Sequence, residues 1–113
     1  MVYIINQRDL PSSNSSRDFE GYRHGESSVS LILIDMATGD GPKLHSHPYE
    51  EVFIVEEGRA RYTVGAEEIE ATVGQILVVP PGTPHKFINL GPERLRQVDI
   101  HLSDRFITDW LEE

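Results

Sequence analysis

Three residues with metal-ligating side chains lie close together in one short segment of the sequence. His45 and His47 are separated by a single residue, and Glu51 follows four positions later. Successive side chains of a β-strand point to opposite faces, so residues two or four apart share a face. Pro48 is expected to interrupt the strand, so the three side chains converge only if the chain continues in the same direction beyond it. Two imidazoles and one carboxylate on one side would supply half of an octahedral metal shell.

Glycine and proline residues flank this segment and a second one in a regular order. Residues 39–58 contain Gly, five residues, His-x-His, three residues, Glu, six residues and Gly. Residues 74–89 contain Gly, five residues, Pro-x-Gly, two residues, His, three residues and Asn. The two segments resemble the first and second motifs of the cupins, with every signature position occupied. The chain thus resembles a small single-domain cupin of the conserved barrel (cupin_2-like) type, and the likeness extends over residues 29–102.

The resemblance implies both a fold and a set of metal ligands. Cupins fold as a double-stranded β-helix, a small jelly-roll-like barrel. In their metal-binding members, the ligands are the two histidines and the glutamate of the first motif and the histidine of the second. By position, these are His45, His47, Glu51 and His85. Such a nitrogen-rich site suits one divalent transition metal per chain (Zn, Mn, Fe, Ni, Co or Cu), with two octahedral positions open to water or substrate.

The hydrophobic pattern predicts an all-β protein in three parts. Residues 1–28 are polar and form an N-terminal arm or an ordered lead-in. Short apolar runs separated by Gly and Pro predict an all-β sandwich or barrel over residues 29–102, and the resemblance implies the barrel. Four apolar side chains at helical spacing predict a short C-terminal helix over residues 103–113, packed on the barrel. They are Phe106, Ile107, Trp110 and Leu111.

Several other side chains are candidates for a substrate pocket around the metal. Phe53 shares strand parity with Glu51, and Phe87 shares it with His85, so both would face inward. They would form either an apolar pocket wall or plain barrel core. Three more side chains are long enough to reach a ligand, although nothing in the sequence selects them. They are Tyr49, Arg61 and Gln75.

His101 lies at the end of a segment that alternates cleanly between polar and apolar residues. One face carries Gln97, Asp99 and His101. If this polar face points into the barrel, His101 is a candidate acid or base near the metal. If the apolar face of Val98, Ile100 and Leu102 fills the barrel instead, His101 lies outside. The alternation alone leaves both arrangements open.

The chain is strongly acidic and contains no cysteine. Ten basic and nineteen acidic residues give a formal net charge of −9, which repels phosphate backbones and anionic lipids. Disulfides, thiolate ligands and a cysteine nucleophile are excluded. The first residues lack the features of a signal peptide, and no apolar run approaches the roughly 20 residues that span a bilayer. We therefore expect a cytoplasmic protein that binds neither nucleic acid nor membranes.

Two functions are compatible with these features. The first is a metalloenzyme that acts on a small molecule, by a dioxygenase-like oxidation or by an isomerisation or epimerisation. The alternative is a protein that binds or senses a sugar or an organic anion without chemistry. We favour the enzyme, although one fold can host many functions. A homodimer is expected from the frequency of symmetric oligomers and from the resemblance.

Overall fold

Ten β-strands form most of the regular structure in residues 2–113, the part of the chain that the computed structural model describes. They are β1 (Ser16–Phe19), β2 (Ser30–Met36), β3 (His45–Ser46), β4 (Glu51–Glu57), β5 (Arg59–Val64), β6 (Glu67–Thr72), β7 (Ile76–Val79), β8 (His85–Asn89), β9 (Leu95–His101) and β10 (Asp109–Trp110). Two 3-10 helices, Gln7–Asp9 and Gly21–Arg23, precede β2. Within the same residues, no helix is long and apolar enough to cross a membrane.

The strands form two five-stranded antiparallel sheets. The order is β1-β2-β9-β4-β7 in the first sheet and β10-β3-β8-β5-β6 in the second. Strands that are distant in sequence therefore pair: β2 and β4 both pair with β9, and β3 and β5 both pair with β8. This is the double-stranded β-helix that the motifs predicted, so the prediction of an all-β cupin barrel is confirmed.

An aromatic cluster from both sheets fills the closed end of the barrel. Phe53 on β4, Tyr62 on β5 and Phe87 on β8 are all buried, and their ring centroids lie 5.5–5.7 Å apart. Val55 and Leu95 complete the cluster from the first sheet. The alternation of buried and exposed residues along β4 matches the period of two expected for a strand with one face in the core. The ring centroids of Phe53 and His85 lie 5.9 Å apart, so this core also packs against one of the candidate ligand histidines.

The tight turn between β4 and β5 requires a glycine. Gly58 has a φ of +84°, and a β-carbon at this position would lie 2.5 Å from the carbonyl oxygen of Arg94. Glycine alone accepts both conditions without strain. The final glycine of the first motif therefore serves the turn that brings β5 back across the barrel.

Part of the N-terminal segment joins the first sheet. Strand β1 pairs with β2 from Ser16 opposite Ile34 to Phe19 opposite Leu31, and so adds an outer strand to the first sheet. The Ser30 hydroxyl accepts a hydrogen bond from the Gly21 amide, and it donates to the carbonyl oxygen of Ser103. The end of the lead-in is thereby tied to the segment that follows β9.

The predicted C-terminal helix is wrong. Residues 103–113 contain no helix, and β10 instead pairs with β3, with Trp110 opposite His45. The Leu111 amide also donates to the carbonyl oxygen of Leu44. A helix of this length gains little stability by itself, whereas the free edge of β3 offers unpaired backbone groups. Of the four apolar side chains at helical spacing, Phe106 contacts His101 edge-on, whereas Ile107, Trp110 and Leu111 are 45–59% exposed.

Candidate metal centre

Four buried side chains from three strands and one loop meet in the open half of the barrel. His45 on β3 lies directly opposite His85 on β8, His47 follows β3, and Glu51 begins β4. Each residue exposes 6% or less of its surface. One nitrogen or oxygen from each lies within 4.8 Å of those of the other three. The four side chains taken from the two motifs therefore converge to the spacing of a single metal ion.

Backbone carbonyls fix the orientation of the three imidazoles. In each ring, Nδ1 is hydrogen-bonded to a main-chain oxygen. The acceptors are Lys43 for His45 (2.7 Å), Ile107 for His47 (2.8 Å) and Thr83 for His85 (2.9 Å). A proton that is donated from Nδ1 leaves the lone pair on Nε2, the atom that faces the cluster. The main chain thus presets the tautomer that a metal ligand requires.

Glu51 is the hub of the cluster. Its Oε1 lies 2.9 Å from Nε2 of His85 and 3.2 Å from Nε2 of His47, and its Oε2 lies 2.9 Å from Nε2 of His101. Burial by itself would raise the pKa of Glu51. Interactions with His101, His47 and His85 outweigh burial and hold that pKa well below its usual range. The group is therefore a carboxylate, the form that binds a cation.

Two buried nitrogens in the cluster indicate that a cation would fit. The Nε2 atoms of His47 and His101 are buried, close to Glu51, and without a well-directed hydrogen-bond partner. A buried polar atom without a partner costs about 1–3 kcal/mol. A divalent ion would satisfy the Nε2 of His47, and imidazole nitrogen with carboxylate oxygen is a donor set suited to transition metals. The residues present therefore fit the metal that the motifs imply.

We expect the metal affinity to fall in acid. His85 must lose a proton before Nε2 can bind a metal. Burial lowers its pKa, but hydrogen bonds to Glu51 and Thr83 outweigh burial and raise that pKa above 6.5. Burial lowers the pKa of His45 to about 4, so His45 contributes little to the change. Below the pKa of His85, one proton is displaced per metal, and the affinity should drop about tenfold per pH unit.

Competition with a chelator, measured from about pH 8 down to about pH 5, gives this slope. The control is the His85→Gln variant, which binds more weakly overall but has no imidazole to titrate at this position. Its affinity should therefore depend less on pH. Identical slopes in the two proteins would contradict the assignment to His85.

The structure selects one of the two arrangements open for His101. Gln97, Asp99 and His101 are 1–3% exposed and point into the barrel, whereas Val98 and Ile100 lie on the other face of β9. Nδ1 of His101 is hydrogen-bonded to the Tyr49 hydroxyl at 2.6 Å, and its Nε2 faces Glu51. His101 therefore lies beside the cluster. Its role as an acid or base stays a prediction.

Asp99 is a neighbour of the cluster that the sequence did not single out. Its carboxyl group, that of Glu51 and the imidazole of His101 offer a second group of potential ligand atoms within 4.8 Å of one another. Burial, and next the charge of Glu51, raise the pKa of Asp99 well above its usual range, although a 2.5 Å hydrogen bond from Gln97 opposes them. Its place on the same strand face as His101 was the signal that could have identified it.

A cavity of about 520 Å³ lies next to the four side chains. His45, His47 and Glu51 form part of its lining, and Phe87 forms part of its wall. Two lining residues come from the C-terminal segment: Thr108, whose hydroxyl lies 3.3 Å from Nδ1 of His47, and Trp110. Both were missed as site residues because a helix was predicted there.

The other predicted pocket residues fall into two groups. Phe53 lies in the aromatic core, where it packs against His85. Tyr49 stacks on His47 with ring centroids 5.0 Å apart. Both side chains therefore contact candidate ligands. Arg61 is exposed and lines a separate recess, and Gln75 is exposed and accepts a hydrogen bond from the Thr72 amide. The structure therefore does not bring Arg61 or Gln75 to the site, because both side chains point away from the interior.

A comparison with protein families identifies the class of protein. Residues 32–101 match the model of the cupin domain family (Cupin_2), and this match covers more than half of the chain. The chain therefore belongs to the cupin domain family. The matched region runs from β2 to the end of β9 and includes all four residues of the cluster and His101.

Two curated proteins from Streptomyces are similar to this chain. The uncharacterized protein SCO3923 of Streptomyces coelicolor is 33% identical over 82 residues, which covers 73% of this chain and 76% of that protein. The polyketide synthase CurC of Streptomyces cyaneus is 36% identical over 80 residues, which covers 70% of this chain and 51% of that protein. The alignment thus spans about half the length of CurC.

Solved structures of oxalate decarboxylase have a similar fold. A variant of the Bacillus subtilis enzyme has a TM-score of 0.83 at 22% identity, covering 93% of this chain and 31% of that chain. The formate complex of the Lactobacillus farciminis enzyme has a TM-score of 0.82 at 19% identity, covering 92% and 34%. A Bacillus subtilis structure that concerns Mn(II) centers has a TM-score of 0.81 at 24% identity, covering 92% and 30%. At these identities, the likeness extends to the fold alone.

Proposed function

We propose that this chain is a metal-dependent cupin enzyme that acts on a small molecule. One divalent transition metal would be held by His45, His47, Glu51 and His85. The observation that carries the proposal is the convergence of these four buried groups beside a cavity of about 520 Å³, a size typical of small-molecule sites. The Mn(II) centers named for a structural neighbour support a metal in this fold.

The reaction class that we favour is a dioxygenase-like oxidation or an isomerisation or epimerisation. A bound divalent metal would polarise a carbonyl or hydroxyl oxygen of the substrate. The chain itself contributes a buried hydrogen-bonded series beside that position: Tyr49 bonds Nδ1 of His101, and Nε2 of His101 faces Glu51. This series would hold or move a proton at Nε2 of His101, the acid or base role that we assign to that residue.

A homodimer also remains a proposal. Val73, Ile76 and Val78 are 58–62% exposed on and beside β7, which is an edge strand of the first sheet. An exposed apolar edge of this kind is a typical surface for pairing with a second copy. The metal site and the cavity are built from one chain and do not depend on this contact.

The metal is tested first, by elemental analysis of protein that was purified without a metal-affinity column. The expected result is close to one transition metal per chain, and less than about 0.1 per chain after reconstitution with each candidate metal would contradict the proposal. A panel of neutral hydroxy, carbonyl and sugar compounds then tests the reaction. Conversion of one compound supports an enzyme, whereas tight binding without conversion supports the alternative, a non-catalytic binding or sensing protein.

A further inference from the structure

The cavity beside the metal centre has one apolar wall. Ile32, Ile34 and Met36 come from β2, and Phe87 comes from β8. Trp110 extends this wall at the entrance, with its ring centroid 5.0 Å from that of His45 at an interplanar angle of 44°. Trp110 is 59% exposed, so part of its ring is free to contact a ligand. This wall suits a planar or otherwise apolar body.

Apart from the imidazoles of His45, His47 and His101, the polar side chains that line the cavity carry carboxyl or hydroxyl groups. Asp99 lies in its buried part, where Gln97 occupies Oδ1 and leaves Oδ2 for a ligand. Asp40 lies in its exposed part, and the hydroxyls of Ser16 and Thr108 also line it. Within residues 2–113, the lining includes no lysine or arginine. Among the described residues, the lining therefore has no permanently cationic side chain, and its carboxyl groups are those of Asp40, Glu51 and Asp99.

The nearest lysines have other partners. Lys43 donates to the carbonyl oxygen of Glu113, and Lys86 pairs with Glu112 at 3.3 Å, so both are engaged on the outer surface. With a divalent metal bound, Glu51 would balance one of its two charges. A ligand with two negative charges would then leave an excess of buried negative charge, which is costly because the lining in residues 2–113 supplies no lysine or arginine to pair it.

We propose that the ligand of this cavity is a neutral molecule that combines hydrogen-bond donor groups with a planar apolar body, and that small dicarboxylates are excluded. This inference rests on the proposed function, because it assigns the substrate class of the same site. The donor groups would face Asp99 and the metal centre, and the apolar body would lie between β2 and Trp110. A site for a dianion such as oxalate would need cationic side chains in its lining, and the described lining contains no lysine or arginine.

Phthalamide and phthalate test the proposal, because the two molecules have the same shape and differ in charge. Their affinities for the metal-loaded protein are measured by calorimetry. Trp110 is the only tryptophan in the chain, so its fluorescence reports whether either compound enters the cavity. Phthalamide is expected to bind at least about tenfold more tightly than phthalate. Equal or tighter binding of phthalate, or no detectable binding of phthalamide at millimolar concentration, would overturn the proposal.

The Asp99→Asn variant removes the carboxyl group with little change in shape. It is expected to reduce the preference for phthalamide by about threefold or more, because a side chain that can ionise beside the ligand is replaced by one that cannot. The matched control is Asp35→Asn, which changes the same residue type on the exposed side of β2, where Asp35 pairs with Arg94. An equal change in both variants would refute the role of Asp99.

The same samples keep this inference apart from the proposed function. Metal content is measured on each, and the two affinities are repeated after removal of the metal. If the protein never takes up metal but binds phthalamide more tightly than phthalate, the proposed metalloenzyme is contradicted and the proposed neutral ligand is supported. If the metal-loaded protein binds phthalate more tightly, the metal site is supported and the neutral ligand is contradicted.

Discussion

Replacing His85 by alanine is expected to lower the metal affinity of the chain by at least about 100-fold. His85 supplies one of four potential ligands, and its Nε2 lies 2.9 Å from Glu51 in the interior of the barrel. Losing a partner that only orients a ligand typically costs about 10–100-fold in metal affinity, so the loss of a ligand itself should cost at least as much. Competition with a coloured chelator measures the affinity.

The matched control for this experiment is His24→Ala. His24 lies in the lead-in, where it stacks on Phe19 at 4.7 Å, and it is not part of the cluster. Its replacement should leave the metal affinity within about twofold of the unaltered protein. Circular dichroism of both variants checks that the barrel is folded. A folded His85→Ala protein with unaltered metal affinity would disprove the ligand assignment.

The Phe53→Ala variant should lower the free energy of unfolding by about 3–5 kcal/mol. The Phe53 side chain is 1% exposed and lies against Tyr62, Phe87 and His85. Truncation would leave a cavity that rings from both sheets cannot easily fill. Urea denaturation measures the effect, with a chelator present so that metal binding does not contribute to the measured stability.

Ile4→Ala is the control for the core variant. Ile4 precedes the first 3-10 helix, and it is 88% exposed. Its truncation should change the free energy of unfolding by less than about 0.5 kcal/mol. Equal losses in the two variants would mean that the aromatic cluster is not the main core. The Phe53 variant should also bind metal more weakly, because Phe53 packs against His85.

The orientation of the metal ligands depends on parts of the chain that carry no ligand. Ile107 accepts the Nδ1 hydrogen bond of His47, and Trp110 contacts His45. Both belong to the C-terminal segment, which is held by β10 pairing with β3. The first motif contains all of its own ligands, but the orientation of those ligands depends on residues about 60 positions later in the chain.

Prediction from the sequence succeeded where spacing along one strand determines geometry. His45 and His47 are two residues apart, and His85 was identified by its position in the second motif, counted along the sequence from Gly74. These spacings are local, because glycine and proline fix the turns and the strand fixes the side-chain direction. The barrel and the set of four ligands followed from the resemblance of these spacings to the two cupin motifs.

Prediction failed or stayed open where two distant segments had to be placed against each other. The apolar spacing of residues 103–113 fits a helix, but the free edge of β3 captures the segment as a strand. The alternation of β9 fits either face, and only pairing with β2 and β4 turns His101 inward. Arg61 and Gln75 were long enough to reach the site but lie on its outer side.

The sequence by itself determined the family, because the spacing of its two motifs sets turns and strand parity within short segments, and the resemblance to cupins implied the barrel and the four candidate ligands. The tertiary structure decided that His101 and Asp99 lie beside the cluster and that Trp110 and Thr108 line the cavity. These placements depend on hydrogen bonding between strands far apart in the chain, and a local pattern does not specify which edge each strand will meet.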